Sequence, residues 1–190
     1  KSLWQGHCMP TRSFGDIRVE LSRQDKVIFP RTGTTKGEVI DYFIEIAPAL
    51  IPHIAGRPVT RKRWPEGVEK QSFFRKDLED SAPEWIATGT IQHTTSVNAY
   101  PLIDGSATLA WLSQVAALEL HTPQWRFGAD GKPQNPDRLV LDLDPGEGVG
   151  LAECAQVARW CRAVPTWRRR RCRRPRAVHA RRWRGLADPA

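Results

Sequence analysis

Asp142 and Asp144 close an apolar run in RLVLDLDPGEG, residues 138–148. Leu139, Val140 and Leu141 read as a buried strand, and residues i and i+2 of a strand point to the same side, with Cα atoms ~6.5–7 Å apart. The two carboxylates therefore converge on one patch, and Leu143 turns back toward the core. Two anions this close repel, and burying them unpaired is costly. A divalent cation removes that cost, and a hard ion such as Mg²⁺ or Mn²⁺ accepts carboxylate oxygens together with water and substrate phosphates. Pro145 and Gly146 end the strand, so the pair is expected at an open crevice of an α/β sheet. Two ions ~3.5–4 Å apart would support phosphoryl or nucleotidyl transfer. A solvated strand end is the alternative, since DxD occurs widely at strand ends.

The elements that must position this pair can be read outward from it. GADGKPQNPD (128–137) is a polar turn that feeds the strand, and VGLAECAQVARWCRAV (149–164) is a helix after it. Upstream, DIRVELS (16–22) alternates as a half-buried strand, and Val27–Phe29 is a short apolar piece framed by turn residues. Helical spacing runs from about Lys36 through DYFIEIAPALI (41–51), where Pro48 should kink or end the helix. Pro58–Arg63 is a strand that stops at a Trp-Pro turn, and QSFFRKDL carries two adjacent phenylalanines. IQHTTSVNAYPLI (91–103) alternates again, GSATLAWLSQVAALEL (105–120) reads as an amphipathic helix, and ELHTPQWRF returns to extended chain. Residues 1–15 show no period and are expected to be a loose leader. The fold class is mixed α/β, without internal repeats.

Composition narrows the function classes. A chain of 190 residues with 40% hydrophobic and 26% charged residues is globular rather than disordered. No apolar run approaches the ~20 residues of a membrane span, and no signal-peptide pattern opens the chain. Beginning with Lys1, the sequence reads as a fragment or a processed product. Cys8, Cys154, Cys161 and Cys172 form no CxxC pair, and Cys154 and Cys161 read as core-facing thiols on a helix. The setting expected from this is reducing and cytoplasmic, without structural zinc. The net charge of +8 suggests nucleic acid until it is located. From Arg162 onward there are eleven Arg and one acidic residue, whereas residues 1–161 carry 18 Lys and Arg against 20 Asp and Glu. Nucleic-acid binding by the body must therefore rest on placed residues, not on bulk charge.

Several stretches together resemble one family. DKVIFP, TGTTKGEVIDYF, HIAGRPVTRKRWPEGV, SFFRK, SAPEWI, YPLID, LAWLSQVAALELHTPQWR and NPDRLVLDLDPGEGV follow the order and spacing of the polymerase/primase domain of bacterial ligase D, within the archaeo-eukaryotic primase superfamily. The resemblance covers about residues 16–162 and implies the N-terminal part of a primase-polymerase domain, a mixed sheet with flanking helices. It implies template-directed addition of NTP or dNTP at broken DNA ends in end-joining repair, in a bacterial, nucleoid-associated setting, with Mn²⁺ or Mg²⁺ and with Ku as an expected partner. Asp142 and Asp144 fall on the family's metal-binding, catalytic aspartates. Lys26 and Lys36 fall on lysines that hold the 5′-phosphate of the downstream DNA strand, a role that suits a flexible ammonium. Phe73 and Phe74 fall on an aromatic pair that packs against template bases, worth ~1–3 kcal/mol per stacked base. Lys62 and His121 fall on residues lining the nucleotide site. Read without the family, the lysines are solvated loop residues, one phenylalanine is core and the other surface, and the histidine is structural.

The departures matter equally. The family's third metal carboxylate and its Ser/Lys/Gly/His-rich phosphate segment belong after the Gly-rich helix, yet after Arg162 none of its words appear, and ligase and nuclease domains are absent. The expected organisation is a leader over 1–15, the N-terminal portion of the domain over 16–164, and an Arg-rich tail over 165–190. TWRRRRCRRPRAVHARRWRGLADPA admits a nucleic-acid arm, a solvated charge run, or translation in a shifted frame, which the absence of Lys favours. The expectation is thus a DNA-end-binding nucleotidyltransferase of reduced or no activity. The alternatives are a non-catalytic binder of 5′-phosphorylated ends and a haloacid-dehalogenase-type phosphatase, whose DxD usually carries a small hydroxyl or Val where Gly146 stands.

Overall fold

Nine short strands and three helices form along the described residues, 10–171, in a computed structural model. They divide into two units, Lys1–Leu139 and Val140–Ala190. The class is mixed α/β as expected, but its strands make four small antiparallel sheets rather than one mixed sheet.

The first unit opens with β1 (Thr11–Phe14) and β2 (Ile17–Glu20), paired as a hairpin. Residues 11–14 were expected in a loose leader; they are ordered by backbone pairing with β2, which needs no hydrophobic period of their own. Residues 1–9 lie outside the described residues. β3 (Val27–Phe29) pairs with β4 (Thr34–Thr35), and α1 (Lys36–Ile54) follows directly. Its N-terminus is a capping box: Thr35 Oγ1 accepts from the Glu38 amide at 3.3 Å, and Glu38 Oε2 accepts from the Thr35 amide at 2.7 Å.

α1 runs through both Pro48 and Pro52 instead of ending at Pro48. Each proline forfeits one intrahelical bond, but Val39, Ile40, Phe43, Ala47 and Ile54 line a buried face that the core holds in place. The C-terminal carbonyls are taken by arginines. Arg126 donates to Pro52 O and Ala55 O at 3.1 and 3.0 Å, and Arg138 donates to His53 O at 2.7 Å. Cations at the negative end of a helix are favourable. Arg57, almost fully buried, donates twice to Asp137 at 2.7 and 2.8 Å, which fastens the 122–138 connection to the end of α1. The Arg57 guanidinium, followed by that of Arg126, holds the Asp137 carboxyl below the usual range.

α2 (Ser106–Gln114) is buried from Ala107 to Ser113, on every side. The amphipathic helix expected over 105–120 is thus a shorter one buried all round, whose buried Thr108 and Ser113 hydroxyls are satisfied by Asp104 Oδ1 and Leu109 O. Val115 and Ala116 turn the chain, Ala116 in the left-handed region at φ 58°, into β9 (Ala117–His121). β5 (Thr60–Arg63) is the centre of the sheet β6-β5-β9, with β6 spanning Phe73–Arg75. β7 (Thr88–Gln92) and β8 (Val97–Pro101) form a separate hairpin.

From the end of the first unit into the second, residues 139–146 form no strand, and none of the nine strands pairs with them. Leu139, Val140 and Leu141, expected to be buried, are 72, 57 and 50% exposed. An apolar run becomes a buried strand only where a neighbouring strand takes its backbone groups, and the described residues supply none. α3 (Leu151–Arg171) continues past Pro165, where helical character was expected to stop; arginine's high helix propensity carries the backbone on. Cys154 and Cys161 are half-buried free thiols, not core residues. Cys8, Cys172 and the tail from 172 lie outside the described residues.

Thr35→Ala removes the Oγ1 half of the capping box, leaving the residue 35 amide on Glu38, and should lower stability by about 1 kcal/mol. The urea midpoint is expected to fall at constant m-value. An unchanged midpoint would show that the backbone ties of Lys36 and Gly37 hold the helix start by themselves.

Candidate functional site

Lys26 and Lys36 are brought together on one cavity of about 340 Å³, lined also by Ser22, Arg23, Arg63 and Gln114. Backbone bonds build it: the Lys36 amide donates to Lys26 O and the Gly37 amide to Gln24 O, both at 2.8 Å, which staples the 23–26 loop to the first turn of α1. Gly37 permits this approach, since a Cβ there would lie 3.2 Å from Gln24 O and 3.3 Å from the Gln24 side chain. Arg23 holds the turn in the left-handed region at φ 50°, uncommon for a residue with a side chain.

The two lysines are not alike. Lys26 Nζ donates to Pro65 O at 2.6 Å and to Glu66 Oε2 at 2.9 Å. Glu66 is largely exposed, so this pair is weak and easily exchanged for another anion. Lys26 holds the Glu66 carboxyl below its usual range. Lys36 is buried, and no hydrogen bond or ion pair engages its Nζ among the described residues. Burial lowers its pKa first, then repulsion from Arg23 and Lys26, with Asp25 opposing. Four cations around one cavity, with Glu66 the only carboxylate in its lining, leave that lining electropositive.

The second cluster lies on the sheet. Register pairs Lys62 with Phe74 and Glu119, and Thr60 with His121, so all five share one face. Lys62 Nζ sits 5.6 Å from the Phe74 ring centroid, 4.8 Å from that of Trp64, and 3.4 Å from Glu119 Oε1. His121 meets the Phe74 ring edge-on at 5.4 Å and Glu119 Oε2 at 2.9 Å. The His121 contact leads in depressing the Glu119 carboxyl pKa, with Lys62 adding to it. Thr60 and His121 also line a cavity of about 350 Å³ with His93, Tyr100 and Trp125. Phe73 and Phe74 are exposed on the edge strand β6, on opposite faces; Phe73 stands with Arg63, whose guanidinium carbon is 5.5 Å from its ring. The adjacent phenylalanines therefore cannot stack as one unit.

Asp142 and Asp144 lie in the second unit, both exposed. As hard-oxygen donors they suit Mg²⁺ or Mn²⁺, but among the described residues no group of three or more His, Cys, Asp or Glu gathers as a metal site. Sequence reasoning missed Arg23, Trp64, Glu119 and above all Arg63. The alternation in RKRW, which puts residues 61 and 63 on one face and 62 and 64 on the other, was the available signal.

Residues 35–166 match the family model for the LigD primase-polymerase domain. Over 149 residues the chain is 52% identical to the multifunctional non-homologous end joining protein LigD of Mycolicibacterium smegmatis, covering 78% of this chain and 19% of that protein. It is 50% identical over 152 residues to the LigD end-joining repair protein of Mycobacterium tuberculosis, covering 77% and 20%. The bifunctional LigD of Bacillus subtilis is 33% identical over 144 residues, covering 74% and 22%. The chain thus spans about a fifth of the length of these curated relatives. Among solved structures it resembles the polymerase domain of Mycobacterium tuberculosis ligase D in complex with DNA, with a TM-score of 0.73 and 51% identity, over 75% of this chain and 51% of that one.

Lys36 should cost stability where it stands. Its folded pKa lies below the ordinary lysine value of 10.5, so between the two the unfolded chain binds more protons and stability rises with pH. Below that window the penalty is present in full. Lys36→Met should therefore raise the unfolding temperature at neutral pH, and the gain should shrink as pH climbs toward 10.5. Thermal melts of both proteins across that range test this; a drop in unfolding temperature at neutral pH would contradict it.

Proposed function

The chain belongs to the LigD primase-polymerase family, and from that premise we propose that it recognises 5′-phosphorylated DNA ends for a repair polymerase/primase. The observation that carries the reading is the cavity shared by Lys26 and Lys36, with one ammonium exchangeably paired and the other buried without a counter-ion. A terminal phosphate dianion is the ligand such a site lacks. It would displace the exposed Glu66 from Lys26 and supply the counter-charge that Lys36 does without.

The face carrying Lys62, Phe74 and His121 serves the incoming nucleotide and the template. Phe74 offers a ring for a base, while Lys62, held between two rings and Glu119, offers a charge for phosphate oxygens. The neighbouring cavity of His93, Tyr100 and Trp125 adds aromatic walls beside His121. Phe73, on the opposite face, belongs with the end-binding cavity through Arg63. Asp142 and Asp144 would hold a divalent ion, Mn²⁺ or Mg²⁺, which in nucleotidyl transfer activates the attacking oxygen and neutralises the leaving group. Family membership weighs against the phosphatase reading of the same DxD pair.

Fluorescence-anisotropy titrations with recessed duplexes that differ only in a 5′-phosphate or a 5′-hydroxyl test the reading. The phosphorylated end should bind about 10–100-fold more tightly, the worth of charge-assisted hydrogen bonds to one phosphate. Lys26→Ala and Lys36→Ala should each erode that ratio, and Asp142→Asn should leave it intact while weakening Mn²⁺ binding. Equal binding of the two ends would overturn the proposal. The preference should also weaken at alkaline pH, before an ordinary lysine titrates, because Lys36 loses its proton early. Lys36→Arg should flatten that dependence.

A further inference from the structure

Arg61 and Arg63 lie on one face of β5 and share a single carboxylate. Glu79 Oε2 accepts from Arg61 Nη1 at 2.6 Å, and Glu79 Oε1 accepts from Arg63 Nη1 at 2.5 Å. Arg61 is fully buried and also donates to Asp77 O, so it is committed to the interior. Arg63 keeps 17% of its side chain exposed and lines the same cavity as Lys26 and Lys36. Its Nε donates to Val115 O at 2.7 Å, which with Glu79 fixes the guanidinium at two points. Nη2 takes no part in either bond and has no hydrogen bond among the described residues. Two guanidiniums against one carboxylate leave a net positive charge on the cavity wall. The group that carries it is planar, fixed in orientation and charged at every accessible pH.

We propose that Arg63 is a third arm of the phosphate site, contacting the terminal phosphate of a DNA end through its free Nη2 edge, and that Glu79 is the positioning residue that sets that edge. This rests on the 5′-phosphate reading of the cavity and goes beyond it. The lysines supply mobile point charges, whereas Arg63 supplies direction. An oriented guanidinium suits phosphate oxygens, and Phe73, its ring centroid 5.5 Å from the guanidinium carbon, steadies the same group.

The test uses the whole chain and the paired 5′-phosphate and 5′-hydroxyl duplexes, read as an affinity ratio and as a salt slope. Arg63→Gln should cut the phosphate-to-hydroxyl ratio about tenfold, leave hydroxyl-end affinity nearly unchanged, and reduce the salt slope for the phosphorylated end by about one. Arg63→Lys keeps the charge but not the two-point tether, so it should keep the salt slope and still lose most of the ratio. Glu79→Gln separates positioning from charge. It adds a net positive charge to the wall, so bulk electrostatics would raise affinity for the phosphorylated end, whereas loss of positioning lowers the ratio. Glu79→Asp, with the charge kept and the reach shortened, should lie between wild type and Glu79→Gln, and serves if the latter fails to fold. A folded Arg63→Lys with the full ratio, or a Glu79 variant with an undiminished one, overturns the inference. A wild-type ratio of one would instead overturn the 5′-phosphate reading itself.

Discussion

Positive charge gathered around one cavity faster than the neighbouring carboxylates neutralise it is the constraint on which the elements that line it depend. Around the cavity stand Arg23, Lys26, Lys36 and Arg63, with Glu66 the one carboxylate lining it and Glu79 behind Arg63. A folded domain ordinarily pairs its buried charges. Here the pairing is incomplete at two points, Lys36 and the outer edge of Arg63. The surrounding structure is what holds those groups against their own repulsion. The 23–26 loop is stapled to α1, Arg61 is buried to anchor Glu79, and the left-handed corner at Ala116 brings Val115 O to Arg63. The buried Arg61 and the left-handed Ala116 cost stability locally, and the apolar packing of α1 and α2 offsets it.

The sheet order β6-β5-β9 turns that charge into two separate surfaces. Because side chains alternate along a strand, the run RKRW divides its cations: residues 61 and 63 serve the interior and the cavity, residue 62 the aromatic face. Phe73 and Phe74 divide in the same way across β6. One strand pair thus carries an aromatic-cation unit on each face, Arg63 with Phe73 and Lys62 with Phe74. A ligand on one face and a ligand on the other would be separated by the thickness of a single sheet.

Much of this was legible in the sequence, and the failures share a physical cause. The β2 alternation, the apolar piece over Val27–Phe29, the start of α1 at Lys36 and the strand that ends at Arg63 all follow from local pattern. Lys26 and Lys36 were readable only through the family's words, because two loop lysines have no period to betray them. Context outside the local window decided the rest. Pro48 lies within α1 because the buried face outweighs one lost hydrogen bond. ALELH becomes β9 rather than helix because β5 offers it a partner. Leu139–Leu141 remain outside any sheet because none of the described strands pairs with them. Glu79 was invisible for a similar reason: nothing in KDLED distinguishes a carboxylate that binds two arginines from one in solvent.

The two incomplete pairings also bear on what the cavity selects. A neutral or singly charged group could satisfy Lys36 alone, or Arg63 alone, but not both. A phosphate monoester carries nearly two negative charges and three acceptor oxygens near neutral pH, enough to meet an ammonium and a guanidinium edge at once while displacing Glu66 from Lys26. An internal phosphodiester carries one charge and fewer free oxygens, so it would leave part of the cation excess unmet. On the proposed 5′-phosphate reading, the site would be matched to a strand terminus rather than to continuous backbone by charge counting alone. On this view Lys36 and the outer edge of Arg63 would contribute to the discrimination together, since the energy recovered on neutralising both is available only to a ligand with charge to spare.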